Sequence, residues 1–294
     1  MKAYEVNFCA KLAKGIARQF GSNCEVVVHD LYPENAEHSI VAIENGHVTG
    51  RRLGDGPSHV VWEALKGDPG KLEDRLAYLT RTEAESLGVT IVPMTYSVEG
   101  GGLYTEDYVD ANGEYEALIA QNIDRMHTSQ ATMSAFMSTF DDLLAEGHDV
   151  LCLTISSRLS GTYANARMAA SEAGGDRIEV VDSLNTGAGI FYLLRLARKL
   201  LDEGLALKEV AARLREERAH IRTVFSVDDM MPLRRSGRLG GVRLSVSTIL
   251  NIKPMLRCEN GSIISAGMAR GKHEQMRFFL KEIGAYRGDM ASEM

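Results

Sequence analysis

Four hydroxyl side chains lie close together in one short loop of this 294-residue chain: Ser156, Ser157, Ser160 and Thr162. They follow an apolar run, Val150–Leu153, and precede a stretch of helical character. A strand, a hydroxyl-rich loop and a helix in this order direct free backbone N–H groups and the positive end of the helix dipole at one point. Hydroxyl groups can donate further hydrogen bonds there. The loop therefore predicts an anion site.

Two other roles for the same loop remain open on the sequence. Ser160 could simply cap the helix that follows, and a cap needs no ligand. Ser160 could also act as the nucleophile of a hydrolase, but no His is visibly placed to serve as its base. We predict no catalytic residue in this chain.

Composition excludes several functional classes. Hydrophobic residues make up 45% of the chain and charged residues 25%, and the net charge is −7. An acidic chain has no general attraction for nucleic acid. No apolar run approaches the roughly 20 residues that span a bilayer, and the first residues lack the apolar core of a signal peptide. The four scattered cysteines form no metal-ligand pattern, so we expect no metal site and a reducing, cytoplasmic location.

A second strand and loop follow the first. Arg177–Asp182 reads as a buried strand, residues 183–189 as a loop, and the next residues as a long helix that ends near Gly204. Strands that alternate with helices indicate a parallel sheet, which binds ligands at the carboxyl ends of its strands. We expect the loops that contain Ser156 and Ser183 to face one cleft. Gly187-Ala188-Gly189 is too short a fragment to indicate a dinucleotide site.

Other stretches give the remaining elements. We predict a strand at Val89–Met94, a loop at residues 99–113 and an amphipathic helix from Met133 to Leu144. The Asn260-Gly261 pair predicts a hairpin turn between two strands. We also predict a helix over residues 6–20, strands over residues 24–30 and 39–44, and a linker at residues 66–70.

The front of the chain resembles the opening of the YheO-like PAS domain. The resemblance rests on residues 21–30 and 39–51. It implies a partial PAS-like α+β segment at residues 1–70, which could sense a small molecule or mediate homo-oligomer formation. No helix-turn-helix is visible, so a DNA-binding role does not follow.

The rest of the chain, residues 76–294, resembles the DegV family through motifs that occur in the family's order. These are Val92-Pro93-Met94, Thr128-Ser129-Gln130, Ile155–Tyr163, Val181-Asp182-Ser183, Val227-Asp228-Asp229, Leu233–Arg238 and Ile249–Pro254. The resemblance implies an α/β fold of two lobes with a parallel sheet, and one long-chain fatty acid bound between the lobes. It also implies family strands beyond Met294, so we expect the C-terminal end of the domain to be truncated.

The same resemblance implies roles for individual residues. Hydroxyls would hold the fatty-acid carboxylate, from Thr128, Ser156, Ser157 and Ser160. Residues near the head group or a partner would be Ser129, Gly161, Thr162, Ser183, Arg235 and Arg238. The acyl chain would lie along apolar side chains such as Met133, Phe136 and Met137. The protein would need no cofactor and would be no enzyme by itself, but would present the lipid to the ATP-binding subunit of a fatty acid kinase.

A function of another class stays open beside this one. The chain could be a sensing or signalling module that acts through its PAS-like front, with the DegV-like part as a scaffold.

Overall fold

The structure is a computed structural model. It describes residues 24–32, 35–44, 47–53, 84–85, 87–105, 122, 125–227, 230, 233–234, 236–239 and 252–292, and of residues 24–53 it describes the backbone alone. The predicted helix at residues 6–20 and the predicted linker at residues 66–70 lie outside these ranges.

Three strands near the front form an antiparallel sheet in the order β1-β2-β3. They are β1 (Cys24–Tyr32), β2 (Asn35–Glu44) and β3 (His47–Leu53). Each strand pairs with the next along the chain, and Val26 lies opposite Val41 in the register. The two strands predicted in this segment are confirmed, and β3 extends the sheet.

A second antiparallel sheet has the order β5-β4-β6, with β4 at Thr95–Val98, β5 at Leu103–Thr105 and β6 at Met126–Ser129. The strand predicted at Val89–Met94 is wrong, because those residues form no ladder and the strand begins at Thr95. Pro93 has no N–H to donate to a ladder, which limits pairing there. The loop predicted at residues 99–113 is also partly wrong, since it contains β5. Tyr104 in β5 stacks on Tyr96 with ring centroids 5.3 Å apart.

The central unit of the described chain is a parallel strand pair covered by helices on both faces. Its elements are α1 (Met133–Ala145), β7 (Val150–Thr154), α2 (Thr162–Ala173), β8 (Ile178–Asp182), α3 (Ala188–Asp202) and α4 (Leu207–Glu217). β7 and β8 pair in parallel, so the predicted order of strands and helices is confirmed. Both faces of this sheet are apolar, as parallel sheets require.

Each face of the β7–β8 pair has its own core. Val150 and Val180 pack with Phe136 and Phe140 of α1 and with the alanines of α2. On the opposite face, Val181 packs with residues of α3 and α4. Full burial of one large apolar side chain such as Phe140 contributes about 1.5–3 kcal/mol. These two cores fix the carboxyl ends of β7 and β8, where the loops emerge.

A third antiparallel sheet, in the order β11-β10-β9, completes the described fold. It contains β9 (Thr223–Ser226), β10 (Ile252–Glu259) and β11 (Ser262–Arg270), and α5 (Gly271–Ser292) packs against β10 and β11. The predicted hairpin is confirmed, because Glu259 pairs with Ser262 around Asn260-Gly261. Among the described helices, none has the length and apolar composition needed to cross a bilayer.

Candidate functional site

The two loops that leave β7 and β8 lie against each other. The Ser156 N–H donates to the Asn185 carbonyl at 2.9 Å, and the Ser183 N–H donates to the Thr154 carbonyl at 3.2 Å. This contact follows from the parallel pairing of Thr154 with Asp182, because parallel strands end at the same edge. The two loops are therefore neighbours, as expected, and a shared cleft between them stays a prediction.

Asp182, the last residue of β8, holds both loops. Its Oδ1 atom accepts hydrogen bonds from the Ser157 N–H at 3.1 Å and the Leu184 N–H at 3.0 Å. The residue is buried, and Leu184 has a positive φ of 49°. A non-glycine residue in this conformation needs fixed contacts around it. We did not select Asp182 as a site residue from the sequence; its position at the end of a buried strand was the available signal.

Asn185 is a second buried polar residue of this loop. Its Oδ1 accepts from the Thr223 hydroxyl at 2.5 Å and from the Thr186 N–H at 3.3 Å. The Ser183 hydroxyl donates to the Asn185 carbonyl at 3.1 Å and accepts from the Asn185 N–H at 3.0 Å. Ser183 therefore closes its own turn, and Asn185 attaches that turn to the start of β9.

Ser156 joins the loop after β7 to the β10–β11 hairpin. Its hydroxyl is buried, donates to the Gly261 carbonyl at 2.7 Å and accepts from the Arg158 N–H at 3.2 Å. The turn residues Asn260 and Gly261 have φ values of 49° and 82°, typical of a type I′ turn. A Cβ atom on Gly261 would lie 2.5 Å from the Ser156 Oγ. The Ser156 side chain thus contacts the backbone of the hairpin tip directly.

Ser160 and Thr162 form a hydroxyl pair at the start of α2. Their oxygens lie 2.8 Å apart, and the Thr162 N–H also donates to the Ser160 Oγ at 3.3 Å. Ser160 therefore accepts a backbone N–H at the start of the helix, as a capping residue does. The N-cap position itself is Gly161, which has no side chain to form such a bond. One hydroxyl of the pair donates to the other, which leaves one O–H proton for a further acceptor.

The Thr128-Ser129-Gln130 segment lies beside the same helix end. A Cβ atom on Gly161 would overlap the Gln130 side-chain amide, so these two residues touch. The Asn165 amide donates to the Ala131 carbonyl at 2.8 Å. Thr128 and Ser129 are exposed at the end of β6. The fold therefore brings Ser129 and Thr162, which are 33 positions apart in the sequence, to one region.

Arg238, which lies between β9 and β10 in the chain, contacts the loop after β7. Its Nε donates to the Leu159 carbonyl at 3.2 Å, and its side chain is half-buried. The Leu159 side chain packs with Leu256 and Ile263 of the third sheet. The loop is consequently held between the parallel pair and the antiparallel sheet. Arg235 lies outside the described residues.

The two cysteines of this part of the fold, Cys152 and Cys258, have strongly shifted thiol pKa values. Burial raises the pKa of the Cys152 thiol from 9.0 to about 12 and that of Cys258 to about 11. Both thiols are therefore protonated and poorly nucleophilic near neutral pH. The Ser160 hydroxyl forms hydrogen bonds with the hydroxyl and the N–H of Thr162. Within the described part of the chain, no group of three or more His, Cys, Asp or Glu residues is placed to hold a metal.

Comparison with family models assigns both parts of the chain. The model described as "Uncharacterised protein, DegV family" matches residues 73–292, and that of the YheO-like PAS domain matches residues 2–99. A DegV domain-containing protein of Halalkalibacterium halodurans is 31% identical over 222 residues, which are 75% of this chain and 78% of that protein.

Solved structures share the fold. A DegV family protein from Thermus thermophilus, described by its fatty acid binding, is 32% identical with a TM-score of 0.63, over 72% of this chain and 75% of that one. The fatty acid kinase B3 protein of Streptococcus pneumoniae, loaded with linoleic acid, is 22% identical with a TM-score of 0.56, over 66% and 69% of the two chains. At that identity the second likeness shows the fold alone.

Proposed function

The chain belongs to the DegV family, and we propose that it binds one long-chain fatty acid, with the carboxylate at the start of α2. The similar Thermus thermophilus protein, described as a fatty-acid binder, supports the class of ligand. The observation that carries the proposal for this chain is the Ser160–Thr162 hydroxyl pair at a helix N-terminus, beside the Thr128 segment.

Hydroxyl protons and backbone N–H groups would bind the carboxylate. Thr128 and Ser157 are exposed and Ser160 is half-buried, so their side chains can reach a ligand. The positive end of the α2 dipole adds about 0.3–1 kcal/mol for a negative charge at an exposed position. Ser129, Gly161 and Thr162 would lie near the head group.

Two of the predicted serines fit a supporting role better in this geometry. The Ser156 hydroxyl proton is donated to Gly261 and the Ser183 hydroxyl proton to Asn185. A serine has one proton to donate, and a carboxylate only accepts hydrogen bonds. We propose that Ser156 and Ser183 hold the loops in place, while Thr128, Ser157 and Ser160 contact the ligand.

The acyl chain would lie along the core between the sheet and α1. Met133 and Met137 are half-buried and pack against the cluster that contains Phe136. Methionine adapts to irregular apolar shapes, which suits a flexible chain. Each buried CH₂ group contributes about 0.8 kcal/mol, so a long chain supplies most of the binding free energy.

We propose further that the protein acts as a carrier and presents the carboxylate to an ATP-using kinase subunit. Arg238 and Arg235 would lie on the side that meets the partner, since guanidinium groups bind carboxylates and phosphates well. Arg238 already lies beside the Ser160 loop through its bond to Leu159.

Native mass spectrometry of the protein purified from bacteria tests the proposal. We expect one fatty acid per chain, and uptake of one oleate per chain after lipid removal. The Thr128→Ala and Ser160→Ala variants should bind oleate more weakly, whereas Ser171→Ala, at an exposed position of α2, should bind normally. A protein with no co-purifying lipid and no oleate uptake would refute the proposal.

A sensing role of the front segment is a second candidate, favoured by the PAS match at residues 2–99 and the β1–β3 sheet. We propose that this part binds a small molecule or forms a homo-oligomer. Removal of residues 1–70 should then change the oligomeric state measured by light scattering and leave oleate uptake intact. Loss of oleate uptake with an unchanged oligomeric state would contradict this candidate.

A further inference from the structure

Thr154 has a buried hydroxyl group that lacks a hydrogen-bond partner among the described residues. The residue is 3% exposed, and its Oγ1 atom is inaccessible to solvent. A buried hydroxyl without a partner costs free energy, because it has lost its bonds to water and gained none. A partner that arrives with a ligand would explain why the residue is a Thr rather than a Val.

The position of Thr154 on its strand shows which core its side chain joins. Along β7, Val150 and Cys152 face the core formed with α1 and α2, while Leu151 and Leu153 face the core formed with α3 and α4. Side chains of a strand alternate between the two faces. Thr154 therefore lies on the face of Val150 and Cys152, at the carboxyl end of that core.

This end of the core is where the apolar and polar parts of the proposed site meet. Met133 and Met137 of α1 pack along the same face, and the loop with Ser160 begins just after Thr154. The register neighbour of Thr154 on β8 is Asp182, whose Oδ1 is already bound to two backbone N–H groups. The Thr154 hydroxyl forms no hydrogen bond with this carboxylate.

We propose that the Thr154 hydroxyl donates a hydrogen bond to the carboxylate of the bound lipid and thereby determines the selectivity for a charged head group. This inference rests on the proposed function and adds a residue to its site. Because the Oγ1 atom is covered in the ligand-free protein, this bond requires the neighbouring side chains to move aside when the lipid enters. The hydroxyl then gains its acceptor only in the complex, so the free-energy cost of the unpaired hydroxyl falls on the ligand-free protein.

The Thr154→Val variant separates this role from a structural one, since it replaces the hydroxyl with a methyl group of similar size. Delipidated wild type, Thr154→Val and Thr154→Ser are compared by calorimetric titration with oleate and with oleyl alcohol. We expect the Kd for oleate to rise about tenfold or more in Thr154→Val. The Kd for oleyl alcohol should rise less, and Thr154→Ser should stay close to wild type.

The melting temperature of the ligand-free protein gives the second readout. A buried hydroxyl without a partner predicts that Thr154→Val melts at or above the wild-type temperature. An unchanged oleate Kd in Thr154→Val, or a lower melting temperature of that variant without ligand, would overturn this inference and leave the proposed function standing. A wild-type protein that binds no oleate would instead overturn the proposed function, and this inference with it.

Discussion

The Ser156 hydroxyl donates a buried hydrogen bond of 2.7 Å to the Gly261 carbonyl, across 105 positions of sequence. The bond links the loop after β7 to the tip of the β10–β11 hairpin, and Arg238 and Thr223 make further links nearby. The loops of the proposed carboxylate site are therefore held by contacts between the parallel strand pair and the third antiparallel sheet.

Gly261→Ala should destabilise the protein strongly. The residue has a φ of 82°, and a new Cβ would lie 2.5 Å from the Ser156 Oγ. We expect a loss of about 2–4 kcal/mol in the free energy of unfolding, measured by urea titration. Gly204→Ala is the matched control, with a φ of 88° and nothing within 4 Å of the new Cβ. Equal losses in the two variants would show that contact with Ser156 is unimportant.

Ser156→Ala and Ser160→Ala should give opposite patterns. Ser156→Ala leaves the Gly261 carbonyl without its donor, so the free energy of unfolding should fall by about 1–3 kcal/mol. Ser160→Ala should change stability by less than about 1 kcal/mol but raise the oleate Kd about tenfold, because it removes a donor to a charged group. Calorimetric titration and urea unfolding measure the two effects. If Ser160→Ala lowered the free energy of unfolding and left the oleate Kd unchanged, the Ser160 hydroxyl would be only a helix cap.

Asp182→Ala should loosen both loops at once. Two backbone N–H groups, of Ser157 and Leu184, would lose their carboxylate acceptor. We expect the free energy of unfolding to fall by about 2–4 kcal/mol and hydrogen exchange at these two amides to become faster. Asp182→Asn keeps an oxygen acceptor, so its stability and its exchange rates should lie between those of the wild type and Asp182→Ala. Unchanged exchange at both amides would contradict the role assigned to Asp182.

The desolvated thiols of Cys152 and Cys258 should react only at high pH while the protein is folded. Desolvation raises the pKa of Cys152 to about 12 and that of Cys258 to about 11, from an ordinary value of 9.0. The reactive thiolate therefore forms two or more pH units later in the folded state. We expect slow iodoacetamide labelling at pH 8 and faster labelling as the pH approaches 11, measured by peptide mass spectrometry. Protein unfolded in urea is the control, and it should label rapidly near pH 9.

The sequence predicted those parts of the fold that depend on local patterns. The apolar runs that end at Leu153 and Asp182 predicted β7 and β8, and Asn260-Gly261 predicted the hairpin. The strand at Thr95 was missed, because the apolar run before it suggested a strand that Pro93 interrupts. β5 was missed as well, since it is three residues long and flanked by glycines.

The site itself was predictable in composition but not in detail. The hydroxyl-rich loop was evident, yet a ligand-binding serine and a structural serine look alike in an amino-acid sequence. That difference depends on which acceptor each proton meets, and for Ser156 the acceptor comes from Gly261. Thr154 and Asp182 were overlooked for the same reason, because their roles arise from the pairing of two strands.

The bond between Ser156 and Gly261 also has a consequence for the order of folding during synthesis. Ribosomes make chains from the N-terminus, so β7, α2 and β8 emerge well before the hairpin that holds their loops. Contacts between residues far apart in sequence form late, because a long loop must close first. We therefore expect a nascent chain that ends before Gly261 to contain the parallel pair without the complete form of the proposed lipid site. Loading with lipid would then be a step that follows translation.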